Sequence, residues 1–420
     1  MHRSTLFFIY MTCFAMAQAA TVNQISIHGN DKTQDSIILR EIHHPIPSQY
    51  NPSLAEEDRN RIYNLGIFSS VDISQKDSSY VIYVIEGLRW IPFPIIDYDE
   101  AKGKDGWSYG MGMRLLNFRG INETINLGFS FGDVNNYFLN LHDPWIAGNH
   151  ISFGFTTFDQ TNAHAVYPFR LTQQDVSVNT GFYIREVHKF VAYTGYDHRT
   201  VKWESNLDEL ETLQSDKSFD HLFFGFMYDF DTRDIYIDPR KGNRIGFEVS
   251  QNVGISKSID FNSVAIWINK WVLLNNRSAE PVLSFKTKAF FQFSDKLPIF
   301  RRMYLGGEDF VRGYSPVPLD NPTDVQNWME SQNIIYQNLS YQQTLFPRTD
   351  FNGMELGIDW HVFLDWGAGS ESLADFRLDH CIYGYGAGLI FYASGLGSIT
   401  VDFGYNPFES DTHMHLSDSN

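Results

Sequence analysis

From Trp90 onward, apolar and polar residues alternate with a period of two, as they do in a strand whose successive side chains point to opposite faces. In LSFKTKAFFQF, Leu283, Phe285, Ala289, Phe291 and Phe293 share one face and Ser284, Lys286, Lys288 and Gln292 the other, with Phe290 as the exception. ELGIDWHVFLDW divides more cleanly. Leu356, Ile358, Trp360, Val362, Leu364 and Trp366 stand against Glu355, Gly357, Asp359, His361, Phe363 and Asp365. A soluble sandwich would bury the apolar face, whereas a membrane barrel turns it to lipid and keeps the charges in its lumen. The repetition to the C-terminus, with Trp, Tyr and Phe at strand ends, favours the barrel. About sixteen such segments follow one another, an even number as barrels of this type have. They include 90–99, 106–118, 136–145, 219–230, 244–254, 281–293, 333–346, 355–367 and a last one near 412–417. The expected fold is an all-β transmembrane barrel, closed, over residues 90–420.

Residues 21–89 follow a different pattern. TVNQISIHGN reads as a strand ending in a Gly29-Asn30 turn, and Thr33 is placed to cap a helix running through Arg40 and His43. A second helix is expected from Leu54 to Gly66, with an acidic first turn and a glycine stop. VDIS and YVIYVIEG then alternate as strands, which gives the order β-α-α-β-β. If this small α+β domain lies on the periplasmic side, loops after odd-numbered strands point outside. The longest, 294–332, is then the sixth outer loop.

Composition narrows the setting. The opening MHRSTLFFIYMTCFAMAQAA pairs a basic start with an apolar stretch and a small-x-small site, so 1–20 is expected to be a signal peptide. Cys13 falls within it and leaves Cys381 alone, with no internal disulfide to form. A net charge of −18 argues against nucleic acid, whose phosphates it would repel. No apolar run of membrane-helix length follows the signal. With 35 Phe and 22 Tyr and no such helix, composition points equally to an outer-membrane β-barrel and to a large soluble β protein.

Several motifs together are similar to the BamA/TamA outer-membrane assembly superfamily. Gly306-Gly307 followed by Val311-Arg312-Gly313-Tyr314 resembles its loop-six motif, and Phe363-Leu364-Asp365-Trp366-Gly367 its strand-thirteen motif. Asp143-Pro144-Trp145, Asp231-Thr232-Arg233-Asp234 and Pro239-Arg240-Lys241-Gly242 resemble its periplasmic turns, and 21–89 resembles a POTRA domain. The resemblance implies that loop six folds into the lumen and that Arg312 meets Asp365. A guanidinium suits this because it gives a carboxylate two parallel hydrogen bonds. The family often has a glutamate on strand twelve where this chain has Ser340, and Glu355 and Asp359 are expected to replace part of that charge.

The implied function is insertion of β-barrel clients, with polypeptide secretion through the lumen and a passive porin as alternatives. The implied partners are outer-membrane lipid, unfolded or secreted polypeptides and accessory periplasmic proteins. The edge Tyr80, Ile82, Val84 and Glu86 is expected to capture clients by strand addition if it borders its sheet. Pro92 and Pro94 remove two donors from one side of strand one, near Ile96. The last strand offers only Met414 and Leu416 as strong lipid contacts, so a lateral seam is expected between the two.

Other chemistry finds little footing. No serine has a nucleophile-elbow context, no nucleotide motif occurs, and neither a cofactor nor a metal is expected. His413 and His415 read as an unliganded lumen pair, His43-His44 as the solvated end of a helix, and Arg301-Arg302 as solvated loop bases. The acidic stretch from Glu204 to Lys217 reads as a solvated fourth outer loop.

Overall fold

The computed structural model describes residues 21–98, 106–148, 150–163, 169–203, 217–255, 258–274, 280–294, 296–314, 330–377 and 380–419. The expected signal peptide, nearly all of the acidic fourth loop and 315–329 of the sixth lie outside the described residues.

The N-terminal domain is a three-stranded sheet backed by two helices. Its elements are β1 (Gln24–His28), α1 (Asp35–Leu39), α2 (Pro52–Asn64), β2 (Phe68–Lys76) and β3 (Ser79–Glu86). Asn51 caps α2, its side chain accepting from Ser53 and Leu54 N–H, and no acid stands in the first turn. The Leu54 start and acidic first turn expected from sequence are thus displaced by a better cap and a proline just inside it. Helix α1 ends at Leu39, short of His43. Thr33 does not cap it; its hydroxyl and N–H both bond Glu86, at 2.6 Å each. His44 is buried, accepts the Asn51 N–H at 2.9 Å and packs on Tyr80, so it is no solvated helix end.

The client-binding edge is corrected more sharply. Strand β3 is the central strand, paired with β1 on one side and β2 on the other. Tyr80, Ile82 and Val84 fill the core, and Glu86 holds the 32–33 turn. A strand paired on both sides has no free backbone to offer. The outer strands here are β1 and β2.

Sixteen antiparallel strands follow in one sheet, ordered strictly by sequence. They are β4 (Trp90–Tyr98), β5 (Trp107–Phe118), β6 (Glu123–Gly132), β7 (Asn135–Asp143), β8 (Ile151–Ala163), β9 (Phe169–Ile184), β10 (His188–Trp203) and β11 (Lys217–Asp231). Then come β12 (Gly242–Ile255), β13 (Phe261–Leu273), β14 (Val282–Phe293), β15 (Asn333–Phe351), β16 (Met354–Ser370), β17 (Cys381–Ala393), β18 (Gly397–Asn406) and β19 (Asp411–Ser419). Strand β15 outruns its expected end by continuing past two register shifts, at Thr344/Phe346 and Phe346/Thr349. The last strand is 9 residues long, enough to reach across where a shorter one was expected. On β11, Leu222, Phe224 and Phe226 are exposed on the outer face while His221 and Asp229 are buried on the inner one. This is the polarity of a barrel in lipid.

The small domain docks across the end of the barrel that carries the Trp145 and Asp234 turns. Asn117 donates to Thr33 Oγ1 at 2.7 Å, and Arg40 stacks on Trp145 at 4.4 Å. Asn64 bonds both Asp234 O and Tyr236 N–H, each at 2.9 Å. Tyr63 meets Glu355 and accepts from Arg348 at 3.0 Å. Trp145 joins the domain's own apolar core, which makes domain and turns one packed unit.

Glu41 is buried in this junction, where desolvation and then the charge of Glu186 push its carboxyl up from 4.5 to about 8. The docked state therefore binds a proton that the free carboxyl would release. The stabilisation is complete below pH 4.5 and is lost as pH rises through about 8. Thermal melting followed by Trp145 fluorescence is expected to fall between pH 5 and 8, and Glu41→Gln to flatten that dependence. An unchanged pH profile in the variant would break the assignment.

Candidate functional site: a loop held inside the barrel

Loop six returns into the lumen because its backbone can lie against glycine. Gly307 and Gly313 take positive φ, +110° and +98°, which other residues rarely adopt. On the wall, a Cβ at Gly384 would stand 2.0 Å from Arg312 O, and one at Gly404 would stand 2.4 Å from Gly313 N. The inward stripe of glycines on β17 and β18 is thus a trough for the loop. Leu305, Val311 and Tyr314 are buried with Ile334 and Ile382, which seat the loop on the wall. Gly306 bridges Val311, and Tyr314 donates its hydroxyl to Tyr383 O at 2.8 Å. Gly367 lies against Leu305 and Val311 with no room for a side chain between them.

Arg312 sits at the centre. Its Nε and one terminal nitrogen donate to Asp365 at 2.7 and 2.9 Å, and its backbone N–H adds a third bond at 3.2 Å. The other terminal nitrogen donates to Asp402 at 2.6 Å, and the guanidinium lies 3.5 Å from the Phe363 ring centre. Asn338 and Tyr336 complete the Asp365 shell at 2.6 and 3.3 Å. His361 bonds the far oxygen of Asp402 at 2.6 Å. Burial alone would depress the guanidinium, but the Asp365 hydrogen bonds and charge, with Asp402 beyond them, hold it above its ordinary value. The last strand joins through His415, whose Nε2 accepts the Gly313 N–H at 2.8 Å.

Part of this cluster escaped the sequence reading. The second carboxylate is Asp402, not Glu355 or Asp359. Glu355 meets Tyr63, and Asp359 pairs with Arg240 at 2.9 Å. Asp359 is six residues along β16 from Asp365, roughly 20 Å at the rise of a strand. Asn338, opposite Asp365 in the ladder, takes the place sought at Ser340, which instead contacts His361 and Val362 O. The signals were faint but present: Asp402 is an acid between Val401 and Phe403, and Gly384, Gly386 and Gly388 recur with the period of a strand.

The residues expected to border a seam lie at the two ends of the sheet. Among the described residues no ladder joins β4 to β19. Leu116 N–H bonds Arg89 O at 2.8 Å, and the 90–98 ladder continues from that pair. Donors at even positions of β4 therefore point away from β5. Pro92 and Pro94 thus face the open side, where a proline leaves no partner unsatisfied. Ile96, Met414 and Leu416 are exposed on the outer face, on strands with no ladder between them among the described residues.

Arg312→Ala strands two buried carboxylates, a loss of about 3–5 kcal/mol for a buried pair. Thermal unfolding of Arg312→Ala, Asp365→Asn and the double variant is expected to be less than additive, and strict additivity would deny their coupling. Gly384→Ala is expected to expel the loop without changing any charge, read as faster protease cleavage within 294–332.

Comparison with known proteins places this geometry. Residues 117–414 match the Omp85 superfamily domain, and residues 20–87 match the POTRA family described as a surface antigen variable number repeat. The chain is 23% identical over 399 residues to the outer membrane protein assembly factor BamA of Nitratidesulfovibrio vulgaris, covering 86% of this chain and 45% of that protein's length. It resembles the crystal structure of Haemophilus ducreyi BamA lacking POTRA domains 1-3, with TM-score 0.57 and 15% identity over 95% of this chain and 83% of that one. CdiB from Acinetobacter baumannii is similar at TM-score 0.52 and 14% identity, covering 95% of this chain and 73% of that one. The chain belongs to the Omp85 superfamily and places its barrel in a Gram-negative outer membrane with its POTRA domain in the periplasm.

Proposed function

We propose that the protein is an outer-membrane assembly factor that passes polypeptide clients, such as unfolded β-barrel chains, into lipid through the seam between β4 and β19. The observation that carries this reading is the placement of Pro92 and Pro94 on the side of β4 away from β5, where no ladder to β19 forms among the described residues. An open strand edge offers backbone groups to an incoming strand, and prolines keep its own partner from zipping shut. Loop six contacts β16, β18 and β19, so it braces one lip of that seam from within. In this reading the POTRA domain, docked on the barrel's turns, meets clients and accessory periplasmic proteins, and its outer strands β1 and β2 are the candidates for strand addition.

The alternatives fit less well. A passive porin gains nothing from a domain docked beneath it and a charged loop packed within it. Secretion along the lumen requires both obstructions to move, whereas a lateral route requires only the seam to part. The reaction breaks no covalent bond in this reading, and it calls for no cofactor.

Ile96→Cys and Met414→Cys, with Cys381→Ser, joined by a reducible bifunctional thiol reagent, are expected to halt insertion of a β-barrel client into liposomes until the link is reduced. Full activity with the crosslink verified would rule out the lateral route.

A further inference from the structure

We propose that Arg301 is a second positioning residue, which fixes loop six to the wall facing the Arg312 cluster, so that its segment 301–312 is a strut held at both ends. This goes beyond the seam reading and holds whichever route a client takes.

The observations begin with two adjacent arginines that part company. Arg302 points to Glu371 at 3.0 Å and Glu330 at 3.7 Å, at the outer rim. Arg301 turns inward and pairs with Asp197 on β10, where it is largely shielded from solvent rather than the solvated base its sequence suggested. In the sheet order β10 lies six strands from β16 and eight from β18, half the circumference away from the carboxylates that hold Arg312. Asp197 also accepts from Arg199 Nε at 3.0 and 3.2 Å, and Asp175 adds a second negative charge within electrostatic reach of both arginines.

The neighbouring aromatics make this a built seat. The Arg301 guanidinium lies 4.9 Å from the Phe261 ring centre. Phe300 is 8% exposed and packs edge-on to Phe219 at 4.8 Å, within a cluster of Phe169, Leu171 and Val201. These residues stand at the outer ends of β9, β10 and β11. Eleven steps of chain separate Arg301 from Arg312, a reach of at most roughly 40 Å. A segment of that length fixed at both ends has little freedom to swing out of the lumen.

The charge count predicts a clean test. Removing Arg301 leaves Asp197 with Arg199, so no carboxylate is stranded and the barrel keeps its fold. The experiment uses the full chain in detergent, with Cys381→Ser and spin labels at Lys296→Cys and Ser218→Cys, and reads the distance distribution between the labels. It is expected to be narrow in the parent, to broaden at least twofold in Arg301→Ala, and to narrow again in Arg301→Lys, which restores the charge. Single-channel conductance in planar bilayers is expected to rise modestly for Arg301→Ala and for Arg312→Ala. In the double variant it should rise by more than the product of the two, because either anchor alone retains part of the loop. Heat-dependent gel mobility verifies that each barrel is folded, and Arg301→Gln replaces Arg301→Ala where the latter does not fold. An unchanged distance distribution in a folded Arg301 variant, or conductance effects that simply multiply, would overturn the proposal. Neither readout involves a client, so failure here leaves the seam reading standing, and failure of the seam crosslink leaves this one standing.

Discussion

A guanidinium deep inside a barrel must be neutralised by partners that remain in place, and much of this structure serves that requirement. Arg312 reaches the lumen only because glycines on the loop and on the wall allow backbone to approach backbone. Once there, it is held by Asp365 and Asp402, and these in turn by Asn338, Tyr336 and His361. Such a cluster contributes little net stability compared with an apolar core of equal volume, yet breaking it is costly because each partner left behind is a buried charge. It specifies one position for the loop rather than merely attracting it. The bidentate fork of arginine supplies that directionality, which an ammonium on a flexible stem would lack.

The same strand carries a second network at its other end. On β16, Asp365 faces loop six, while Asp359 pairs with Arg240 from the β11–β12 turn. Arg348 on β15 then links Asp238 of that turn to Tyr63 of the POTRA domain, at 2.6 and 3.0 Å. The inward face of β16 therefore lies between the outer loop and the periplasmic domain, with His361 and Phe363 between the two carboxylates. The motif Pro239-Arg240-Lys241-Gly242 earns its place here: its arginine is a lumen charge, not a solvated turn residue. The seam proposed between β4 and β19 lies at the ends of the same sheet, and His415 ties the last strand to loop six.

Much of the architecture was legible in the order of residues. A period of two fixes which side chains share a face, so Asp365, His361 and Asp359 stand together on the polar face of their strand, which in a barrel is the lumen. The same parity, applied to Pro92 and Pro94, requires that both missing donors point one way. Loop six was recognisable from its glycines and its arginine, because few other residue types allow a backbone to approach so closely and still carry a fixed fork of donors.

Pairing across the sheet was not legible, because it depends on register and on strand order, which are properties of distant segments. Asn338 faces Asp365 because of where β15 settles against β16; by sequence, Ser340 was an equal candidate. Asp402 joins the cluster only because β18 comes within reach of loop six. Strand β3 is apolar at six successive positions, Tyr80 to Ile85, which marks a strand, but the neighbours it lies between come from β1 and β2, far from it in the chain. Arg301 and Arg302 are adjacent and chemically identical, but one pairs with Asp197 and the other stands at the rim. The sequence alone determined which faces and which turns could form, since those follow from local sterics and side-chain direction. Only the tertiary structure decided which charge meets which, because a buried ion pair is set by the closing of loops over long separations in the chain.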